Sequence, residues 1–138
     1  MEEAAIVLML KEKESGFLTK ELGCYTVSGK ESLLDRIYAE ETDDGIVVHM
    51  ALGCEKEAED WEYDAIFDYY DADALQDVVD IVAEEEGHLN PVWVVTFHFQ
   101  DEAEAMEQRL SAILQAHDAE LQSVYAAIVD KKDDYCEQ

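Results

Sequence analysis

Runs of apolar residues in the first part of the chain predict β-strands. Residues 4–10, AAIVLML, are continuously apolar, which is typical of a strand buried on both faces. Residues 17–27 predict a second strand, with a bulge or bend at Gly23, because glycine is tolerated where strand pairing is interrupted. A polar turn at residues 11–16 separates the two.

Two further segments are joined by a hairpin signal. The sequence Asp43-Asp44-Gly45 stands before the apolar residues 46–52, and Asp-Gly beside an apolar run is typical of a tight turn between antiparallel strands. Residues 31–41 fit either a helix or a strand, since their apolar positions have helical spacing but the turn that follows favours a strand. We expect strands in both segments.

The aromatic segment 61–71, WEYDAIFDYYD, alternates between two sets of side chains. A period of two predicts a strand that buries one set and exposes the other. The buried set includes Trp61, Tyr63 and Phe67, and the exposed set includes Glu62, Asp64, Asp68 and Tyr70. An aromatic-rich helix is the alternative for this segment.

Two helices and a strand are predicted in the second half of the chain. The first helix covers residues 73–86, with Asp73 as its N-cap. The strand covers residues 92–99, VWVVTFHF. The second helix has Asp101 as its N-cap, and a break near His117-Asp118 is expected because an unbroken helix would be long for this chain. Its apolar stripe comprises Met106, Leu110, Ile113, His117, Leu121, Val124 and Ile128.

The order of these elements is typical of an α+β fold, since most strands precede the helices. We expect a single domain over residues 1–138, with a mainly antiparallel sheet of about five or six strands and two C-terminal-half helices packed on one face. The strand–helix–strand order predicted for residues 61–99 would make two strands parallel through a right-handed crossover.

The net charge of −26, from 35 acidic and 9 basic residues, restricts the possible partners. Phosphate contacts need lysine and arginine, so neither direct nucleic-acid binding nor an anionic membrane surface is expected. A basic protein surface and cations remain, and residues 55–86 carry 14 acids against Lys56. Acidity that serves solubility alone is the simplest alternative.

The cysteines and the start of the sequence favour a reducing cytoplasm. Cys24, Cys54 and Cys136 are odd in number and form no CxxC pair, so a disulfide framework is not expected. Glu2 and Glu3 precede the first apolar run, whereas a secretory signal needs positive charge there. No apolar run approaches the roughly 20 residues of a membrane span.

The run Glu84-Glu85-Glu86 departs most clearly from the local rules. At the end of the predicted first helix, each carboxylate faces the negative end of the helix dipole and is unfavourable by about 0.3–1 kcal/mol at low salt. Such departures are typical of functional sites, although an exposed acidic end screened by salt is the alternative. We predict a surface that binds a basic partner, comprising Glu62, Asp64, Asp68, Tyr70, Glu84, Glu85, Glu86 and His88.

Metal binding is a weaker interpretation. Four aspartates offer oxygen ligands for calcium, but they lack the spacing and the glycine of a twelve-residue calcium loop. These are Asp68, Asp71, Asp73 and Asp77. The potential soft-metal ligands have no ligand spacing either, and they are His49, Cys54, His88 and His98.

The sequence contains none of the common catalytic motifs. No GxSxG, P-loop or GxGxxG pattern is present, and no cofactor is implied. Cys24 or Cys54 beside a histidine in a cleft is the remaining route to an enzyme. His98 and His117 are expected instead to be half-buried histidines with hydrogen-bond partners.

Three segments carry a family resemblance: WEYDAIFDYYD (61–71), NPVW (90–93) and HDAEL…YAAI (117–128). They resemble a small family of uncharacterised bacterial domains associated with anaerobic Gram-positive bacteria, and the resemblance covers most of the chain. It implies a cytoplasmic bacterial protein and carries over no activity, cofactor or binding residue.

The function expected from these observations is a non-catalytic acidic module that mediates protein interaction or regulation by binding a basic partner surface. A sharper version is a nucleic-acid mimic, whose carboxylates would imitate a ridge of phosphates. A divalent-cation-binding domain and a small enzyme are the alternatives.

Overall fold

Six strands form one sheet in the computed structural model, which describes residues 3–28, 30–54 and 56–135; Glu55 and Cys136 lie outside these ranges. The strands are β1 (Glu3–Lys11), β2 (Leu18–Ser28), β3 (Leu34–Thr42), β4 (Gly45–Leu52), β5 (Ile81–Glu85) and β6 (Val92–His98). Their order across the sheet is β2-β1-β3-β4-β6-β5. β1 and β3 are parallel, and the other neighbouring strands are antiparallel.

The helices are α1 (Asp60–Tyr69), α2 (Ala103–Ile128) and the four-residue α3 (Lys132–Tyr135), with 3-10 turns at Glu31–Leu33 and Ala72–Leu75. α1 and α2 pack on the same face of the sheet. The ring of Phe67 in α1 lies 5.2 Å from that of Trp93 in β6, and the guanidinium of Arg109 in α2 lies 5.5 Å from the ring of Phe97. The protein therefore has the expected α+β fold, with a mostly antiparallel sheet.

The core lies between this face and the helices. Alternate strand residues fill it, including Leu8 of β1, Met50 of β4 and Phe97 of β6. All seven residues of the stripe predicted for the last helix are buried. Since apolar burial is the main favourable term in folding, this stripe fixes α2 on the sheet.

Most of the predicted strands are confirmed. β1, β4 and β6 lie where the apolar runs predict them, and residues 34–42 form the strand expected in the ambiguous segment. Thr42 pairs with Gly45 across the expected two-residue turn, where glycine has φ of 118°. The irregularity expected at Gly23 is also present, because Leu8 pairs with Gly23 and Met9 with Glu21, which leaves Leu22 as the extra residue.

The strand predicted for the aromatic segment is wrong, because this segment forms α1. The Glu62 carboxylate accepts a hydrogen bond from the Glu59 N–H at 2.9 Å, as in a capping box that starts a helix. Ala65 and Ile66 are buried against the core, and Tyr63 and Phe67 are one helical turn apart. The side chains of this segment are therefore arranged with the period of a helix, not with the period of two expected for a strand.

The helix predicted over residues 73–86 is also wrong. Asp71, rather than Asp73, caps the structure that forms there, which is only a 3-10 turn. The chain then enters β5, whose β-branched residues pair with β6. The Glu84–Glu86 run consequently lies at the end of a strand, and the helix-dipole argument does not apply to it. The crossover expected over residues 61–99 is wrong too, because its first strand is the helix α1 and the strand that does precede β6 is antiparallel to it.

Two smaller expectations are corrected. α2 begins at Ala103 with Glu102 at its N-cap, not at Asp101, and it continues through His117 without a break because its buried stripe is continuous. The expectation that β1 is buried on both faces is wrong, because in the described part of the chain helices cover one face only. Leu8 on that face is fully buried, whereas Val7 on the other face is 47% exposed.

Candidate functional site

Four of the predicted partner-binding residues line one groove, of about 540 Å³. Asp64 and Asp68 lie one turn apart on α1, and Glu84 and Glu86 lie at the end of β5 and just beyond it. The pairing of Glu84 with Trp93 turns its side chain toward the helix-covered side of the sheet, where α1 packs. The fold thus joins acids from two distant parts of the sequence.

Aromatic rings form the wall of this groove. Tyr63 and Phe67 from α1 meet edge to face, with ring centroids 5.1 Å apart, and Tyr135 of α3 lines the groove beside them. The Tyr135 hydroxyl donates a hydrogen bond to Asp68 Oδ2 at 2.8 Å. This bond to a carboxylate raises the pKa of Tyr135 to about 12, so the phenol stays protonated.

The groove carboxylates lack cationic partners inside the described part of the chain. No lysine, arginine or histidine there lies within ion-pair distance of Asp64, Asp68, Glu84 or Glu86. In water, two charges about 4 Å apart repel by about 1 kcal/mol, so this arrangement is tolerated without being favourable. A positively charged ligand would relieve the repulsion.

The other four predicted residues lie elsewhere. Glu85 points to the opposite face of the sheet, where its oxygens accept hydrogen bonds from Arg36 at 2.6 and 2.7 Å and one pairs with His88 at 2.6 Å. The bonds from Arg36 lower the pKa of Glu85. Glu62 belongs to the start of α1. The expectation that Tyr70 is a surface residue is wrong, because it is 8% exposed.

Tyr70 instead belongs to a buried polar chain with His117. The His117 Nε2 lies 2.7 Å from the carbonyl oxygen of Gly53, which can only accept, so Nε2 carries the proton. Nδ1 then accepts a hydrogen bond from the Tyr70 hydroxyl at 2.8 Å. Burial lowers the pKa of His117 to about 4 and raises that of Tyr70, which keeps both groups neutral. His117 thus has hydrogen-bond partners as expected, but it is fully buried rather than half-buried.

The thiol of Cys54 is not activated. Burial raises the pKa of Cys54 to about 11, and its Sγ lies 3.6 Å from the carbonyl oxygen of Pro91. A thiol with a raised pKa is a poor nucleophile at neutral pH. Neither Cys24 nor Cys54 hydrogen-bonds to a histidine.

The proposed metal ligands are dispersed. Among the residues that the structure describes, no three histidine, cysteine, aspartate or glutamate side chains are arranged to hold a metal ion. Each surface histidine pairs with its own carboxylate: His49 with Glu40, His88 with Glu85 and His98 with Asp80. The His98 side chain is 58% exposed, so the half-buried position expected for it is wrong.

Sequence reasoning missed the aromatic part of the groove. It assigned Tyr63 and Phe67 to the interior of a sheet and did not consider Tyr135. A usable signal was present, because the Tyr63–Phe67 and Asp64–Asp68 pairs are both spaced i,i+4 and place two rings and two acids on neighbouring positions of a helix.

The fold and the groove define an acidic α+β protein with an aromatic, carboxylate-lined groove between a helix and the end of an edge strand. The chain belongs to the family of unknown function DUF6762, whose model matches residues 1–136. This confirms the resemblance to an uncharacterised domain family. Comparison with curated proteins and with solved structures finds no match. Within the described ranges, no helix has the length and apolar character needed to cross a membrane.

Proposed function

We propose that the protein is a non-catalytic interaction module whose groove binds lysine or arginine side chains of a basic partner protein. The observation that carries the proposal is the convergence of Asp64, Asp68, Glu84 and Glu86 on a groove walled by aromatic rings. Carboxylates attract the cationic head, and ring faces contribute cation–π contact and cover the aliphatic stem.

The shape of the site favours binding of a protruding basic side chain over a nucleic-acid mimic or a divalent-cation site. A nucleic-acid mimic would need a convex ridge of carboxylates, whereas these acids surround a concavity of about 540 Å³. Divalent cations compete for the same oxygens, but they prefer six or more ligands held close together. Aromatic walls add nothing to such a metal site and do favour an organic cation.

A peptide titration tests the proposal. A short lysine peptide and the same peptide with acetylated lysines have the same length, but only the first carries positive charge. We expect the charged peptide alone to bind, measured by calorimetry and by the fluorescence of Trp61, whose ring lies 6.3 Å from that of Tyr135. Binding should weaken as salt is added.

Matched variants locate the binding. The groove variant Asp64→Asn with Glu86→Gln removes two negative charges, and the control Asp43→Asn with Asp44→Asn removes two at a hairpin turn that accepts Asn-Gly well. Exposed ion pairs contribute about 0.2–1 kcal/mol each, so we expect the groove variant to bind about two- to thirtyfold more weakly. Equal losses of peptide affinity in both variants would show that only the overall charge of the protein matters, and would contradict the proposal. Binding of calcium with no binding of the charged peptide would also contradict it.

The cytoplasm is the compartment that fits this function. Cys24 and Cys54 are both free thiols, as expected where glutathione keeps thiols reduced. A bacterial cytoplasm also contains many basic proteins bound to nucleic acid, which supplies the proposed class of partner. Fractionation of the native cells, followed by detection of the protein, tests the location.

A further inference from the structure

The sheet face opposite the helices carries apolar side chains among polar ones, and the middle of β1 presents only apolar ones there. The pairing of Arg36 with Ala51, of Ala51 with Val94 and of Val94 with Ala83 places one row of outward side chains across four strands. A second row runs through Tyr38, His49, Thr96 and Ile81. β1 adds Ala5, Val7 and Met9 to the same face, since these alternate with the buried Ile6 and Leu8.

This composition is unusual for a face in contact with water. An antiparallel sheet with one solvated face normally alternates apolar and polar residues, and a continuously apolar strand is typical of a sheet covered on both sides. β1 is continuously apolar, as in a sheet covered on both sides, yet helices in the described part of the chain cover only one of its faces. Val7 is 47% exposed and Ile81 is 58% exposed. The apolar pattern of β1 therefore predicts a second covered face, and the residues that the structure describes leave that face open.

Several polar groups in the middle of this face contact one another. Arg36 reaches across β4 and β6 to Glu85, and His49 pairs with Glu40 at 2.8 Å. The ammonium of Lys11 lies 4.9 Å from the ring of Tyr38. With histidine neutral, four acids stand against two bases on this face, a formal charge of −2 on a protein whose net charge is −26: the acids are Glu21, Asp35, Glu40 and Glu85, and the bases are Lys11 and Arg36.

We propose that this open sheet face is a dimer interface, occupied by the same face of a second copy of the chain. A two-fold interface brings a surface against itself, so it must not carry a large net charge of one sign. This face meets that condition. A basic partner would gain little from a face with so small a net charge, whereas the apolar side chains of two stacked sheets pack well at a sheet separation of about 10 Å.

The available area is sufficient for a specific contact. Six strands span five spacings of about 4.8 Å, and about six residues per strand at about 3.3 Å add a length of about 20 Å. The footprint is therefore about 500 Å² per copy and about 1,000 Å² in total, which is the lower limit for a biological interface. A weak, concentration-dependent dimer is expected.

Light scattering and sedimentation of the full chain test the proposal. At physiological salt and submillimolar concentration we expect a mass twice that of the 15.7 kDa chain, falling toward one chain on dilution. Added salt should strengthen the dimer because it screens repulsion between two acidic bodies. A single-chain mass at every concentration and salt level would overturn the proposal.

Two matched variants show which surface is used. Val7→Lys with Ile81→Lys puts charge on the open face. Leu89→Lys with Val129→Lys changes two other exposed apolar residues, 76% and 77% exposed, which lie outside the strands, in the β5–β6 turn and just after α2. We expect only the first to be monomeric, with circular dichroism and melting like those of the second. Should the lysine variant unfold, Val7→Thr keeps the β-branched shape and should weaken the dimer severalfold. Dimers of unchanged affinity in a folded sheet-face variant would refute the interface.

Discussion

His117 makes the stability of this protein depend on pH in a way that can be isolated. In the folded chain the pKa of His117 is about 4, because the imidazole is fully buried, whereas in the unfolded chain it is near the ordinary value of about 6.5. The unfolded state therefore binds more protons between these values. The stabilising contribution of neutral His117 is complete above the unfolded pKa and is lost as the pH falls toward 4.

The magnitude follows from the two pKa values. The linkage relation gives a loss of about 2 kcal/mol in the free energy of unfolding between pH 7 and pH 5 from this group alone. Carboxylates contribute their own pH dependence, so the comparison must be made between variants. His117→Gln cannot titrate, and its amide can still donate to the Gly53 carbonyl.

Urea unfolding followed by tryptophan fluorescence at pH 7, 6 and 5 measures the effect. We expect wild type to be more stable than His117→Gln at pH 7 and the difference to shrink by about 2 kcal/mol at pH 5. His98→Gln, at a side chain that is 58% exposed, is the surface control and is measured at the same three pH values. A stability gap for His117→Gln that does not change with pH would refute the argument that burial keeps this imidazole neutral.

Three further substitutions have defined expectations. Tyr70→Phe leaves the buried Nδ1 of the imidazole without its donor and should lower the free energy of unfolding by about 1–3 kcal/mol in urea titrations. Glu85→Gln loses its ion pairs and should destabilise by up to about 1 kcal/mol in low salt, whereas Glu86→Gln, which removes an unpaired acid, should not lower the melting temperature. Gly23→Ala brings a Cβ within 2.5 Å of a buried tyrosine hydroxyl and should cost about 1–3 kcal/mol, while Gly53→Ala meets nothing closer than 3.9 Å and serves as its steric control.

The sequence was informative wherever burial alone decides the structure. The strands at residues 4–10, 46–52 and 92–99 and the stripe from Met106 to Ile128 could be predicted because long apolar runs and a sustained period each have one good solution. The hairpin at Gly45 was predictable because few residues tolerate its φ of 118°.

The errors fall where local patterns are ambiguous. The aromatic segment satisfies a period of two and a helical period equally well, and the contacts of Phe67 with Trp93 select the helix. Residues 73–86 were predicted to be a helix capped by Asp73, but β6 offers residues 81–85 a pairing partner that sequence cannot reveal. Because of these errors, Tyr70 was expected at the surface rather than in the core, and Tyr63 and Tyr135 were not predicted to line the groove.

The two proposed surfaces explain how so much negative charge coexists with an apolar sheet face. Acids on the groove side would attract a basic partner and repel other copies of the chain, so self-association would be restricted to the sheet face, where the net charge is small. Salt acts oppositely on the two contacts, since it weakens attraction at the groove and screens repulsion between copies. A dimer of this kind would present two grooves at once, and a partner with several lysines or arginines would then bind more tightly than the affinity of one groove allows.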